Sequence, residues 1–398
     1  MTRLAAAAIL LPLLAVGGAS AARTLDIYFI DVEGGQATLI LTPAGESILI
    51  DAGYAGRGGR GGRGGPQAGP QGLPQPGAGG SAPQGAPPDG PPAGAPVAQP
   101  ATSAPAPPAG PPFAEPGRDP TRILSVLRAA GVAKLDFLLV THFHPDHVGG
   151  VPELASKIPI GTFIDYGTPL GFDRMTAGGF RNYEPLRGER GHIEARPGDR
   201  LPFKGLEAEV VSAAGRILPT PLREGGGPNS TCAMTEDFPD DGTENFRSVG
   251  VMLRFGAFRF LDLGDLSGNT LTSLACPTDM LGQVSAYVIA HHGDYDSNVP
   301  ALYAALRPQV SIMNNGPTKG GSPDTLTTIR AQHGMDLWQL HASRLPGANN
   351  AADPFLANVD DGITSYWLKL TASEDGSFVL VNQRTGFTKT YPKVEGRR

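Results

Sequence analysis

The 398-residue sequence predicts an α/β layered domain, with strands first and helices intercalated. Three observations predict it. Short apolar runs of strand length open the chain, helix-patterned segments alternate with strands further on, and several buried-type runs end in His or Asp.

The first segment reads as an address and not as part of that domain. Arg3 precedes an apolar run from Leu4 to Val16, then the small-residue stretch Gly17–Ala22 with Ala19-Ser20-Ala21 as an A-x-A cleavage site. The run is short for a bilayer span. Residues 1–21 are therefore expected to be a signal peptide, and 22–398 a single periplasmic or secreted domain. Cys232 and Cys276 are the two cysteines. In an oxidising compartment they are expected to pair, closing a loop of roughly 40 residues, with two free thiols as the alternative.

Leu25–Val32 nearly alternates apolar and polar residues, as a half-buried strand does. Ala37–Thr42 and Ser47–Ile50, separated by Pro43-Ala44-Gly45, read as a hairpin. Composition then shifts. Of the 55 Gly and 39 Pro residues, 17 of each fall between about 55 and 117, a tract that opens on GRGGRGGRGG and contains too little apolar content for a core. It is expected to be a disordered insertion looping out of the domain. Order resumes with Asp119-Pro120, a helix-start signal, then Ile123, Leu124 and Leu127 on one face, and Gly131 as the stop.

Phe137–Val140 is a continuous apolar run that delivers the chain into Thr141-His142-Phe143-His144-Pro145-Asp146-His147-Val148-Gly149-Gly150. Three imidazoles and a carboxylate in six positions are nitrogen and oxygen ligands suited to Zn²⁺ or a similar ion. His142 and His144, at alternate positions, can face one metal, and Asp146 and His147 a neighbouring one. A short helix near Pro152–Lys157 and a strand near Thr162–Tyr166 follow. Hairpins are expected at Glu194–Val211 and at Val249–Leu263, the latter turning at Gly256-Ala257.

Two further strands end in ligand-type residues. Asp265 follows Phe260–Gly264, and His291-His292 follows Ala286–Ala290. Asp265 is expected to bridge two metals and His291 to complete the second, with His292 as substitute ligand or as an acid near the leaving group. Asp31 and Asp51, each closing an early strand, are expected to orient histidines, with turn formation as the alternative for either. Helices at Asn269–Ala275, Val299–Leu306 and Pro323–Gln332, strands at Val310–Met313 and Leu337–Leu340, and a closing hairpin around Glu374-Asp375-Gly376 complete the pattern.

These motifs resemble the metallo-β-lactamase superfamily, whose hallmark is HxHxDH followed by a distal Asp and a distal His. Within it, FIDVEGGQATLI, ILIDAG, VTHFHPDHVGG, NFRSVGVMLRFGAFRFLDLGD and AHHG are similar to the hydrolase domain of ComEC-type DNA-uptake proteins. The resemblance spans roughly residues 25–320 outside the insertion. It implies an αββα sandwich, two mixed sheets flanked by helices, with metals in a shallow groove at one edge. Many members carry a further His just before the second hairpin; here Glu244 or Asn245 stands in that region, and His192 comes too early. An oxygen-rich position better suited to Mn²⁺ is the consequence, and it argues against a β-lactamase.

The expected chemistry is metal-assisted hydrolysis by a hydroxide held between two divalent ions, Zn²⁺ favoured and Mn²⁺ the alternative. Asp146 would hold one ion and orient the nucleophile. His292, or Lys319 in the Asn314–Gly320 segment, would contact the leaving group or an anionic substrate. The resemblance implies a phosphodiester, small or polymeric. An ester, lactone or amide hydrolase, and a non-catalytic metal-stabilised binding module, are the alternatives. Net charge is −6 with no basic block, so charge does not support nucleic-acid capture, although bound metal can supply positive charge. Neither an integral membrane segment nor an obligate protein partner is expected.

Overall fold

The computed structural model describes residues 23–55, 118–169, 174–188, 190–240, 242–359 and 365–394. The expected signal segment and nearly all of the Gly/Pro-rich insertion lie outside the described residues.

Strand β1 (Leu25–Phe29) alternates buried and half-buried positions and pairs antiparallel with β2 (Thr38–Leu41). The chain turns at Gly45 into β3 (Ser47–Ile50), the expected hairpin. Helix α1 (Arg118–Ala129) buries Ile123, Leu124, Val126 and Leu127 and leads to β4 (Leu135–Leu139), which lies parallel to β3. The short helices α2 (Pro145–Val148) and α3 (Val151–Lys157) follow, then β5 (Ile160–Asp165), α4 (Arg174–Gly188) and β6 (Gly191–Glu194), both strands parallel to β4.

The second sheet starts with β7 (Glu207–Ala213) and the two-residue β8 (Arg216–Ile217). The expected hairpin at Gly256-Ala257 joins β9 (Gly250–Phe255) to β10 (Phe258–Asp262). Parallel crossovers then run through α5 (Gly268–Ser273), β11 (Ala286–Val288), α6 (Pro300–Leu306), β12 (Val310–Met313), α7 (Pro323–Arg330) and β13 (Asp336–His341), with β14 (Leu356–Asn358) beside β13. The closing strands β15 (Leu368–Ala372), β16 (Phe378–Asn382) and β17 (Thr388–Tyr391) return to the first sheet alongside β1.

Among the described residues this makes a nine-stranded sheet, β17-β16-β15-β1-β2-β3-β4-β5-β6, and an eight-stranded one, β14-β13-β12-β11-β10-β9-β7-β8. Their inner faces share one core. Phe29 meets Phe260 at 6.0 Å between ring centroids, and Phe258 meets Phe378 at 5.4 Å. A second core packs Leu261 and Tyr287 of the eight-stranded sheet against Leu271, Leu302 and Leu326 of α5, α6 and α7. Each such side chain contributes about 1.5–3 kcal/mol by leaving water. The layered fold is therefore two mixed sheets flanked by helices, as expected. No helix among the described residues is long and apolar enough to cross a membrane.

One expectation is met only in part here, and one helix has no counterpart in the sequence pattern. The expected hairpin at Glu194–Val211 forms only in part: β6 stays in the first sheet and β7 belongs to the second, while the link between them folds back on β7 through the antiparallel bridge Arg200–Glu209 and buries Leu201 and Phe203 in the shared core. Helix α4 has no clear helical signature in the sequence, because Gly178, Gly179 and Pro185 are weak helix formers. Packing requires one of them: a Cβ on Gly179 would stand 2.3 Å from the Phe143 carbonyl oxygen, so the helix lies directly on the histidine loop.

Asp165, at the end of β5, is fully buried and pins α4 and β6 to the sheet. It accepts hydrogen bonds from Tyr183 (2.7 Å) and Arg187 (2.6 Å) and pairs with His192 (3.1 Å). Burial raises this carboxyl, but His192, Arg187 and Tyr183 together hold it below its ordinary 3.8. Asp165→Asn is expected to cost about 3 kcal/mol at neutral pH, because Arg187 is left uncompensated. A depressed carboxyl stabilises the fold above its unfolded pKa and loses that contribution as pH falls through the folded one. Urea melts at a series of pH values should show the two proteins converging below about pH 4.

Cys232 and Cys276 are joined in a disulfide across 44 positions, tying the loop after β8 to the segment beyond α5.

Candidate metal centre

The parallel strands set the geometry. Asp51 follows β3, Thr141–His147 follow β4, Asp265 follows β10 and His292 follows β11, so the carboxyl ends of strands from both sheets converge at one edge. That is where open α/β sheets place ligands.

One atom from each of Asp146, His147, Asp265 and His292 lies within 4.8 Å of the others, and all four residues are buried. Asp265 is the hub. Its Oδ2 is 3.0 Å from His147 Nε2, 3.2 Å from His292 Nε2, and 3.8 Å from both His142 Nε2 and His291 Nε2. Asp146 Oδ2 is 3.2 Å from the same His147 and His292 nitrogens. Beside this group the rings of His142 and His144 stand 4.7 Å apart, and those of His142 and His147 4.1 Å. His142 Nε2 and Asp265 Oδ1 are buried without a hydrogen-bond partner. Leaving two such atoms dry costs free energy unless a ligand takes them, and both are first-rate metal donors.

The electrostatics point the same way. Burial pushes the Asp265 carboxyl up, but His147, His292 and His291 hold it well below the usual carboxylate range. Asp146 is likewise held down against burial, chiefly by Lys319 and His147. Burial pushes the His147 imidazole down, yet Asp265, Asp146 and Asp51 raise it well above its ordinary value. Two buried carboxylates thus draw positive charge onto the group.

Asp51 lies against the histidine loop. Its Oδ2 accepts from His147 Nδ1 at 2.7 Å and from Thr141 Oγ1 at 2.7 Å, which leaves His147 Nε2 for the group. Removing such an outer partner costs about 10–100-fold in metal affinity. Asp51→Asn is expected to weaken metal binding by that factor, read by competition with a chromophoric chelator.

Other expectations are corrected. Asp31 does not orient a histidine: it pairs with buried Arg122 at 3.1 Å and accepts from the Glu33 backbone at 3.0 Å. Of the two distal histidines, His292 and not His291 stands within the four-residue group. His291 and His292 both have left-handed backbones (φ 47° and 55°), and that kink directs His292 into the group. His291 turns aside, with Nδ1 on Asp296 Oδ1 at 2.6 Å and Nε2 beside Asn245 Nδ2 at 3.1 Å. Glu244 does not join the four either. It accepts a hydrogen bond from Tyr166 and is pushed up to about 7 by burial, against the pull of His144 and Arg247. Lys319 does reach the site and donates to Asp146.

Sequence reasoning missed Ser248, whose Oγ accepts from the Asp265 backbone at 3.2 Å and lies 3.4 Å from His142 Nδ1. It also missed the network beneath, where Gln36 Nε2 donates to both oxygens of Asp262 (3.0 and 2.9 Å) and Asn314 donates to Gln36 at 3.1 Å. No local pattern marks these residues, since their partners lie up to 278 positions away.

Residues 115–232, which include the whole histidine loop, match the family model of the metallo-beta-lactamase superfamily. Over that stretch the chain is similar to a metallo-β-lactamase superfamily domain. Asp265 and His292 lie beyond the matched stretch, on strand ends of the same domain. No curated protein matches the chain. Solved structures similar to it include a metallo-beta-lactamase with a HARLDQ motif from Cronobacter sakazakii (13% identity, 61% of this chain and 60% of that one, TM-score 0.30). Others are a diphosphatase of the PhnP family (11%, 76% and 81%, TM-score 0.32) and a metal-dependent hydrolase of the beta-lactamase superfamily (11%, 79% and 95%, TM-score 0.40). The chain spans about 60% of the length of the first of these. Overlaps this loose say nothing of what the chain acts on.

Proposed function

We propose that the chain is an exported metal-dependent hydrolase of phosphodiester-type substrates. The observation that carries this reading is the buried group of Asp146, His147, Asp265 and His292, assembled from three separate strand ends. These four would hold one divalent ion. His142, His144 and the free oxygen of Asp265 would hold a second, with Glu244 close enough to influence it. Zn²⁺ suits the imidazoles, and Mn²⁺ is the alternative for an oxygen-rich position. Such ions supply Lewis acidity and an activated water at neutral pH.

The chain's own residues set up that chemistry. Asp51 fixes His147, Ser248 braces Asp265 and His142, and Asp296 holds His291 at the rim. Hydrolysis of a diester would consume one water and release an alcohol and a phosphomonoester. Similarity to ComEC-type hydrolase domains supports the phosphodiester over the ester, lactone or amide alternatives. The disulfide supports export, since such bonds persist in oxidising compartments, and so does the apolar N-terminal segment.

A panel of bis-p-nitrophenyl phosphate, a p-nitrophenyl ester, a lactone and a β-lactam tests the reading. Chelator-sensitive turnover greatest on the diester is expected; turnover confined to the ester or lactone would overturn the substrate assignment. Polymer binding that survives chelation, without turnover of any substrate, would favour a binding module. His292→Ala is expected to lose bound metal and His291→Ala to keep it, measured by elemental analysis. The reverse result would restore His291 as the ligand.

A further inference from the structure

We propose that Lys319, backed by Tyr54, is an anion-recognition point at the mouth of the metal group, selecting substrates with a phosphoryl-type negative charge. This rests on the hydrolase reading above and names the substrate feature the site recognises.

The loop carrying Lys319 is built onto the site. Gly321 N donates to the His292 carbonyl and Ser322 N to the Gly293 carbonyl, both at 2.9 Å. Gly316 N closes the turn on the Lys319 carbonyl at 2.9 Å, and Arg344 N holds Pro317 at 2.8 Å. Approach is so close that a Cβ on Gly320 would stand 2.3 Å from the His292 carbonyl oxygen. The backbone of Lys319 is therefore fixed relative to His292, while its side chain donates to Asp146 and remains 31% exposed.

Tyr54 approaches from the opposite loop. Its hydroxyl is 3.4 Å from Lys319 Nζ, and its ring centroid 5.6 Å from the same atom. A lysine cannot ligate a metal while charged, so its place here needs another reason. When Asp146 serves a divalent ion, its negative charge is largely committed. The ammonium, with three donors, then keeps an uncharged hydroxyl and a ring face as neighbours, which do not neutralise it. A non-bridging phosphoryl oxygen would. Because the Lys319 side chain is partly exposed beside the group, an incoming anion can approach it from solvent.

Inorganic phosphate is the probe. Its binding to the metal-loaded chain is measured by titration calorimetry for the parent, Lys319→Met and Lys319→Arg, after the metal content of each is determined. A charge-assisted hydrogen bond of this kind is worth about ten- to a hundredfold in affinity. Lys319→Met is expected to keep its metal and bind phosphate more weakly by that factor, and Lys319→Arg to stay within about threefold of the parent. With bis-p-nitrophenyl phosphate the loss in Lys319→Met should fall mainly on KM. Unchanged phosphate affinity in Lys319→Met, equal loss in both variants, or loss of metal in Lys319→Met would overturn the inference, the last making Lys319 a prop for Asp146. A parent chain that binds no metal would instead overturn the hydrolase reading, so the two failures are told apart.

Discussion

Asp265→Ala is expected to lose tightly bound metal and to lower kcat/KM on a phosphodiester by about a thousandfold or more. Asp265 faces four imidazoles with one oxygen and leaves the other unpartnered in a buried setting, so it is the residue that would serve both of the proposed ion positions. Metal ions contribute several kcal/mol of charge stabilisation in such reactions, and each 1.36 kcal/mol is tenfold in rate. The fold should survive, because Asp265 sits at a strand end and neither core includes it. Far-UV circular dichroism beside elemental analysis checks both halves. A variant that keeps its metal and most of its turnover would remove Asp265 from the centre.

The largest effect on stability is expected at Arg122→Met. Arg122 is buried on α1 and binds Asp31 (3.1 Å), the Asp31 carbonyl (3.2 Å) and Glu33 (2.9 Å). Arg118 pairs with Glu33 and Asp119, and Tyr54 N donates to Asp119 at 2.8 Å, so the network also ties Ala55's side of the chain to the start of α1. Removing one partner of a buried pair costs about 3–5 kcal/mol. For a domain of this size that lowers Tm by roughly 10 °C. Burial already pushes Asp31 up to about 6 against the pull of Arg122, and without the guanidinium it rises further. A carboxyl raised in the folded state favours folding less as pH rises through the gap between its two pKa values. The deficit should therefore be larger at pH 7.5 than at pH 5, and a pH-independent deficit would contradict the pairing.

Much of this was legible in the chain because strand ends announce themselves. The apolar run before His142, and those before Asp265 and His291-His292, locate strands and ligand-type residues together, and HxHxDH is dense enough to need no structural context. What stayed hidden depends on backbone direction or distant partners. Two adjacent histidines are equivalent in sequence; left-handed φ values decide which one enters the site. Asp31 and Asp51 both close strands, yet only a structure shows that one faces Arg122 and the other His147. Helix α4 carries Gly179, a poor helix former, because its close packing on the Phe143 backbone leaves no room for a Cβ there.

The most direct test of the whole account is the metal content of the purified chain after equilibration with Zn²⁺ or Mn²⁺ and exhaustive dialysis. A pair of divalent ions per chain is expected, with the more tightly held one lost in His292→Ala. A chain that retains neither ion, while correctly folded, would contradict it.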